Sequence, residues 1–280
     1  MKNTSTLYPV PAFVISFVIE LVIALVLALV PRTNYAATEL WNPTVSGAWQ
    51  SVKADYVNFY STERWRRLGV AFGVGGIMAN SNADQEIQNW YQEQVRSSTS
   101  DELASMVKEF GDWKYLVPAS LAAVGFGLTF PQDTGSSLGV WGERTFRAYV
   151  VAAPVMFFTQ HLTGASRPDE RQDASHWRPL RDNNGVSGHA FVAAVPFITI
   201  AQMTDNRFIR YASYAASVLT AWSRVNDNAH FTSQALLGWC IGYEAVNAVS
   251  STYTNESTTK PHFSLIPWGD GAVVRVAYQW

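Results

Sequence analysis

Three clusters of residues able to do chemistry fall between positions 160 and 234 of a 280-residue chain. The first is Gln160-His161-Leu162-Thr163-Gly164-Ala165-Ser166-Arg167-Pro168, and the second is Val186-Ser187-Gly188-His189. The third is Ser223-Arg224, followed by His230 and Gln234. Ser187-Gly188-His189 opens an apolar stretch with helical signals. Ser187 can cap that helix, and Gly188 leaves its backbone N–H open to a ligand. A helix N-terminus presents free N–H donors and the positive end of the helix dipole, which suits an anion. Arg167 and Arg224 carry planar forks that bind phosphate oxygens in pairs. His189 and His230 can divide the work of nucleophile and general acid near neutral pH. His230 and Gln234 are four apart, so on a helix they share a face and can hydrogen-bond. Singly, these pieces have plainer explanations. A Ser-Gly-His is commonly just a helix cap, a buried histidine is more often structural, and Arg167 can pair with Asp169 or Glu170 on the surface. The weight lies in their order and spacing.

That order and spacing resemble the type 2 phosphatidic acid phosphatase superfamily, which also includes bacterial acid phosphatases and vanadium haloperoxidases. Its motifs are Lys-x6-Arg-Pro, Pro-Ser-Gly-His and Ser-Arg-x5-His-x3-Asp. Arg167-Pro168 matches the end of the first, Ser187-Gly188-His189 the second, and Ser223-Arg224 with His230 the third. The resemblance covers roughly residues 113–250. It departs at three positions: Gln160 stands for the lysine, Val186 for the proline and Gln234 for the aspartate. Val186 shapes a loop and does no chemistry. Gln160 removes a cation but can still donate a hydrogen bond. Gln234 can fix the His230 tautomer but cannot stabilise a positive imidazole as a carboxylate would. One cation and one anion are gone together, so the charge of the pocket is unchanged. Asp227 is a substitute anion if its loop folds back, and His176, Asp173 and Asp182 are further polar candidates in the loop 164–187.

The resemblance implies an all-α helical bundle and a metal-free phosphatase acting through a phosphohistidine. His230 attacks phosphorus. Arg167, Arg224, Ser187 and the Gly188 N–H hold the three equatorial oxygens, with Gln160 beside them. His189 protonates the leaving oxygen. No cofactor is implied, except that a haloperoxidase would hold vanadate on His230. A catalytically silent binding protein that keeps the fold is the other rival. The implied partner is a phosphorylated small molecule or lipid.

Composition sets the frame in which such a site must be built. Charged residues are 15% of the chain, hydrophobic residues 48%, and the net charge is −2. The charged share is well below the soluble average of about 25%. Disorder of the bulk is excluded, and no basic footprint for nucleic acid exists. The single cysteine, Cys240, permits neither an internal disulfide nor a cysteine-based zinc site. Apolar helical stretches are expected at 114–130, 145–162, 188–203, 207–222 and 234–249, read as core helices of a bundle, with a polytopic membrane protein as the alternative. Helical signals also mark 45–65 and 82–97, while 68–79 is apolar and rich in glycine.

Residues 1–37 read as an export signal or an N-terminal membrane anchor, because Lys2 precedes an apolar run from Val10 to Val30. Both readings place the remainder outside the cytoplasm, in the periplasm or its equivalent, with membrane association through residues 10–30. Residues 38–112 form an N-terminal helical region, 113–250 the phosphatase core, and 251–280 a tail. Alternation from Ala272 to Trp280 after Pro267-Trp268-Gly269-Asp270-Gly271 predicts a β-hairpin over 262–280.

Overall fold

A computed structural model describes residues 45–257, apart from 132, 133 and 172, together with the backbone of 262–268 and 271–277. The expected export signal or anchor, 1–37, lies outside the described residues. From residue 45 to residue 257 the described architecture is helical. In chain order the helices are α1 (Val45–Phe59), α2 (Thr62–Asn80), α3 (Ala83–Trp90), α4 (Ser98–Val107), α5 (Trp113–Thr129), α6 (Thr134–Thr163), α7 (Gly188–Met203), α8 (Arg207–Asn226) and α9 (Thr232–Ser257). A π turn, Tyr91–Val95, follows α3, and a 3-10 turn, Lys108–Gly111, follows α4.

The centre is α7. Every residue from Ala190 to Ala201 is buried, the pattern of a helix apolar on all sides and enclosed by others. α8 and α9 pack along it, α6 lies against α9 and α7, and α5 runs beside α6. Val151, Val195, Ile198, Leu237, Ile241 and Val249 are fully enclosed where α6, α7 and α9 meet. Each such side chain contributes roughly 1.5–3 kcal/mol by leaving water. Among the described residues no helix is long and apolar enough to cross a membrane.

α6 begins well before the expected residue 145, because its first turns are not an apolar run. Their polarity is consumed internally. Arg147 grips Asp55 of α1 through two bonds, 2.7 and 2.8 Å, and also reaches Glu143 and the Tyr253 hydroxyl at 2.9 Å. Thr252 donates to the same Asp55 at 2.7 Å. A buried charge pair of this kind costs desolvation and, once present, is expensive to break. It ties α1 to α6 and α9. Residues 45–112, outside the family resemblance, are therefore packed onto the core. α1 and α2 lie on α9, α4 lies on α8, and the 3-10 turn touches both α7 and α8.

Candidate active site

α6 stops at Thr163, and Gly164 takes the left-handed backbone (φ 58°) that reverses the chain. The loop from 164 to 187 has little regular structure, as its sequence predicts, but it is latched at several points. The Arg178 and Leu180 N–H groups donate to the Thr163 and His161 carbonyls, both at 2.8 Å. Asn184 N–H reaches Ala165 O at 3.1 Å, and Ser187 N–H reaches Gln234 O at 2.9 Å. Gln160 donates from Nε2 to Val186 O at 3.0 Å. The last turn of α6 thus holds the residue just before the Ser187-Gly188-His189 segment. Ser187 caps α7 as expected, its Oγ accepting the Ala190 N–H at 3.3 Å. Its neighbour Gly188 faces the Gln160 amide, 3.7 Å from where a Cβ would stand.

His230 sits just before α9 and is 5% exposed. Its Nδ1 lies 2.9 Å from Gln234 Oε1, the pairing that the four-residue spacing predicts. The orientation of the Gln234 amide is set independently. Its Nε2 donates to Ser166 O at 2.8 Å, and its Oε1 accepts the Phe231 N–H at 3.2 Å. An oxygen already accepting from Phe231 can only accept from His230 too, so Nδ1 carries the proton and Nε2 keeps its lone pair. Upstream, α8 ends at Asn226, and the Arg224 carbonyl accepts the Ala229 and His230 N–H groups at 2.9 and 3.1 Å. Asn228 takes φ 55°, a conformation asparagine tolerates better than most residues.

His189, His230, Arg167 and Arg224 lie close enough that their charges act on one another. Burial pushes His230 down to about 3, with Gln234 opposing and Arg224, Arg167 and His189 reinforcing. Burial pushes His189 down to about 4, reinforced by Arg224, Arg167 and Lys108 and opposed by Asp112. Both rings are therefore neutral near pH 7. Burial also lowers Arg224, with Asp227 opposing. Arg224 Nε is buried with no hydrogen-bond partner among the described residues. Arg167 is exposed, and its Nε donates to Asn184 Oδ1 at 3.1 Å. Asp227, the candidate substitute anion, pairs with Arg224 Nη1 at 3.2 Å. His176 and Asp173 face each other at 3.8 Å. Asp182 bonds to Ser166 Oγ at 2.7 Å, behind Arg167 and Gln234.

The sequence reading missed what the N-terminal helices supply. Gln88 donates to Val225 O at 3.1 Å and to Asn228 Oδ1 at 2.7 Å, bracing the turn that precedes His230. Asp84, fully buried, accepts the Ser233 N–H at 3.0 Å and also the Ser233 hydroxyl. It so anchors the first turn of α9. The 3-10 turn is pressed against His189, with Gly111 at the contact. No motif marks these residues, and the partners of Gln88 and Asp84 lie more than a hundred positions away, so no local signal could have found them.

All the motif positions fall within residues 146–257. Residues 146–257 match the family model of the PAP2 superfamily. The match begins later than the expected core boundary at 113, with α5 and the N-terminal helices outside it. The fold is also similar to the crystal structure of a transmembrane PAP2-type phosphatidylglycerolphosphate phosphatase from Bacillus subtilis, with TM-score 0.50 and 18% identity. That likeness covers 68% of this chain and 95% of the other. A comparison with curated proteins finds no match. Chemically, the matched region brings together two guanidinium groups, a capped helix N-terminus and a neutral imidazole with a free Nε2. That set can bind a phosphate group and offer it a nucleophile.

Proposed function

We propose that the chain is a metal-independent phosphatase that hydrolyses phosphomonoesters or diphosphates through a phosphohistidine. The observation that carries this reading is the fixed tautomer of His230. Gln234 holds the proton on Nδ1, which leaves Nε2 as a nucleophile in the positive field of Arg224 and Arg167. In the proposed cycle Nε2 attacks phosphorus in line. The Arg224 fork, Arg167, Ser187 and the Gly188 N–H take the equatorial oxygens, with the Gln160 amide beside Gly188. Placed donors around a charged transition state supply most of the rate enhancement. His189, on the first turn of α7, gives a proton to the leaving oxygen, and water then releases phosphate. His189 is neutral in the free protein, so it acts as an acid only after the bound phosphate raises its affinity for a proton.

A lipid-linked substrate at a membrane face is part of the proposal, with residues 1–37 exporting the chain and either cleaved or kept as an anchor. It is supported by the apolar run from Val10 to Val30. The solved relative is a membrane phosphatase, which agrees with it. We read 262–280 as a terminal β-hairpin, supported by antiparallel pairing of His262–Trp268 with Gly271–Ala277. A phosphate-release panel of lipid phosphates, prenyl diphosphates and water-soluble monoesters tests the reading. Release from at least one class, lost in His230→Ala, is the expected result. No release from any class would favour a silent binding protein, and vanadate-dependent halide oxidation would favour a haloperoxidase.

A further inference from the structure

We infer that Asp182, outside the motif segments, is a positioning residue that holds both Arg167 and His230 in place through two separate arms. The inference rests on the phosphatase reading. The Asp182 carboxylate accepts from three donors: Ser166 Oγ at 2.7 Å, the Asn183 N–H at 2.6 Å and Asn184 Nδ2 at 2.8 Å. Burial alone would raise this carboxyl. The three donors, with Arg171, hold it below the usual range, so it is an anion at neutral pH.

The first arm runs through Asn184. A carboxylate only accepts, so the Asn184 NH2 must face Asp182 and its Oδ1 must face away. That Oδ1 accepts from Arg167 Nε at 3.1 Å. A reversed amide would set NH2 against guanidinium N–H, donor against donor. The charge on Asp182 thus dictates the acceptor that holds an otherwise exposed arginine. The Asn184 backbone is fixed in turn by its bond to Ala165 O at 3.1 Å.

The second arm runs through Ser166. Its hydroxyl is held by Asp182, and its carbonyl accepts from Gln234 Nε2 at 2.8 Å. Gln234 Oε1 then fixes His230 Nδ1 at 2.9 Å. No proton travels this path, since each link sets only orientation. With an amide at position 234, the carboxylate on this route stands further out, behind Ser166, and serves two functional side chains at once.

The test is steady-state hydrolysis of p-nitrophenyl phosphate, with inhibition by inorganic phosphate, for the full chain and its variants. Asn184→Ala should raise KM and the phosphate inhibition constant about ten-fold, the worth of one charged hydrogen bond, and leave kcat within about two-fold. Ser166→Ala should lower kcat about five-fold with KM little changed. Asp182→Asn should do both, and should lower kcat no further when added to Ser166→Ala. Wild-type kcat and KM in Asp182→Asn overturn the inference. So does the absence of the KM-against-kcat split between Asn184→Ala and Ser166→Ala, which decides the matter alone if Asp182→Asn does not fold. If the wild-type protein releases no phosphate from any substrate, the phosphatase reading is what fails. Calorimetric binding of inorganic phosphate then tests the Arg167 arm by itself. Binding about ten-fold weaker in Asn184→Ala supports the arm, and unchanged binding sinks it.

Discussion

Gln234 Oε1 accepts two hydrogen bonds at once, one from His230 Nδ1 at 2.9 Å and one from the Phe231 N–H at 3.2 Å. A neutral amide therefore does the orienting work that the family pattern assigns to an aspartate, without the charge. Burial, reinforced by Arg224 and Arg167 and only partly opposed by this amide, keeps the ring unprotonated, pushed down to about 3. Replacing Gln234 with Asp should raise the His230 pKa, because an adjacent carboxylate favours the protonated ring. A nucleophile must be unprotonated, so the acid limb of kcat/KM should move to higher pH. The shorter side chain also loses the donor to Ser166 O, at a cost of about 1–3 kcal/mol in stability. A pH–rate profile with an unmoved acid limb would show that position 234 does not tune the ring.

Replacing His230 with Ala should abolish turnover while the chain stays folded. Gln234 keeps two of its three partners in that variant, the Phe231 N–H and Ser166 O. Phosphate should still bind, because Arg167 and Arg224 are untouched. Activity near the wild-type level, with a normal melting curve, would remove His230 from the role of nucleophile.

Much of this site was legible because its parts obey local rules. The spacing of His230 and Gln234, the Ser187 cap and the aperiodic loop 164–187 each follow from short-range geometry. The onset of α6 was not legible. Arg144 and Arg147 are charged residues that no local rule marks for burial, yet both are buried, Arg147 on Asp55 and Arg144 over the Tyr253 ring at 3.8 Å. Asp84 and Gln88 were hidden for a related reason. A polar helix face whose partners lie on α8 and α9 looks solvated until those helices are placed. Gln160 and Gln234 were seen as a charge-neutral pair of departures. Their partners, Val186 O and Ser166 O, are backbone carbonyls, which no reading of side-chain types reveals.

Stability should fall steeply in mild acid. Burial pushes His189 and His230 down to about 4 and about 3 in the folded chain, from the ordinary value of 6.5. Between these values and about 6.5 the unfolded chain binds more protons than the folded one, so stability is complete above pH 6.5 and lost as pH falls. Each ring contributes up to about 1.4 kcal/mol per pH unit in that window. Urea unfolding at pH 7, 6 and 5 should show the decline, and His230→Gln should reduce its slope. An equal slope in that variant would assign the acid sensitivity to other groups.

Turnover should persist in EDTA. The cations proposed to face the substrate are Arg167 and Arg224, aided by the α7 N-terminus. No cluster of histidine, cysteine or carboxylate suited to a metal occurs among the described residues. Loss of activity on chelation, restored by magnesium or zinc, would replace the proposed mechanism with a metal-assisted one.

The 3-10 turn should prove as important as the motifs, and Gly111 is the place to test it. A Cβ there would stand 2.7 Å from His189 Cβ, 2.7 Å from Thr220 Cγ2 and 2.8 Å from the His189 carbonyl oxygen. None of these is the free end of a flexible side chain, so the neighbours or the turn must move. Thr220 is held by its own bond to Val107 O at 2.8 Å, so the turn cannot slide away from α8 without breaking it. Overpacking of this kind costs about 1–3 kcal/mol. Gly111→Ala should therefore lower stability and displace His189, the proposed general acid. Substrates whose leaving group needs a proton should lose more kcat than p-nitrophenyl phosphate, whose phenolate leaves with little help. Comparing kcat for an alkyl phosphate and for p-nitrophenyl phosphate in both proteins gives the reading. Equal losses on both would mean that the turn braces the fold without placing His189.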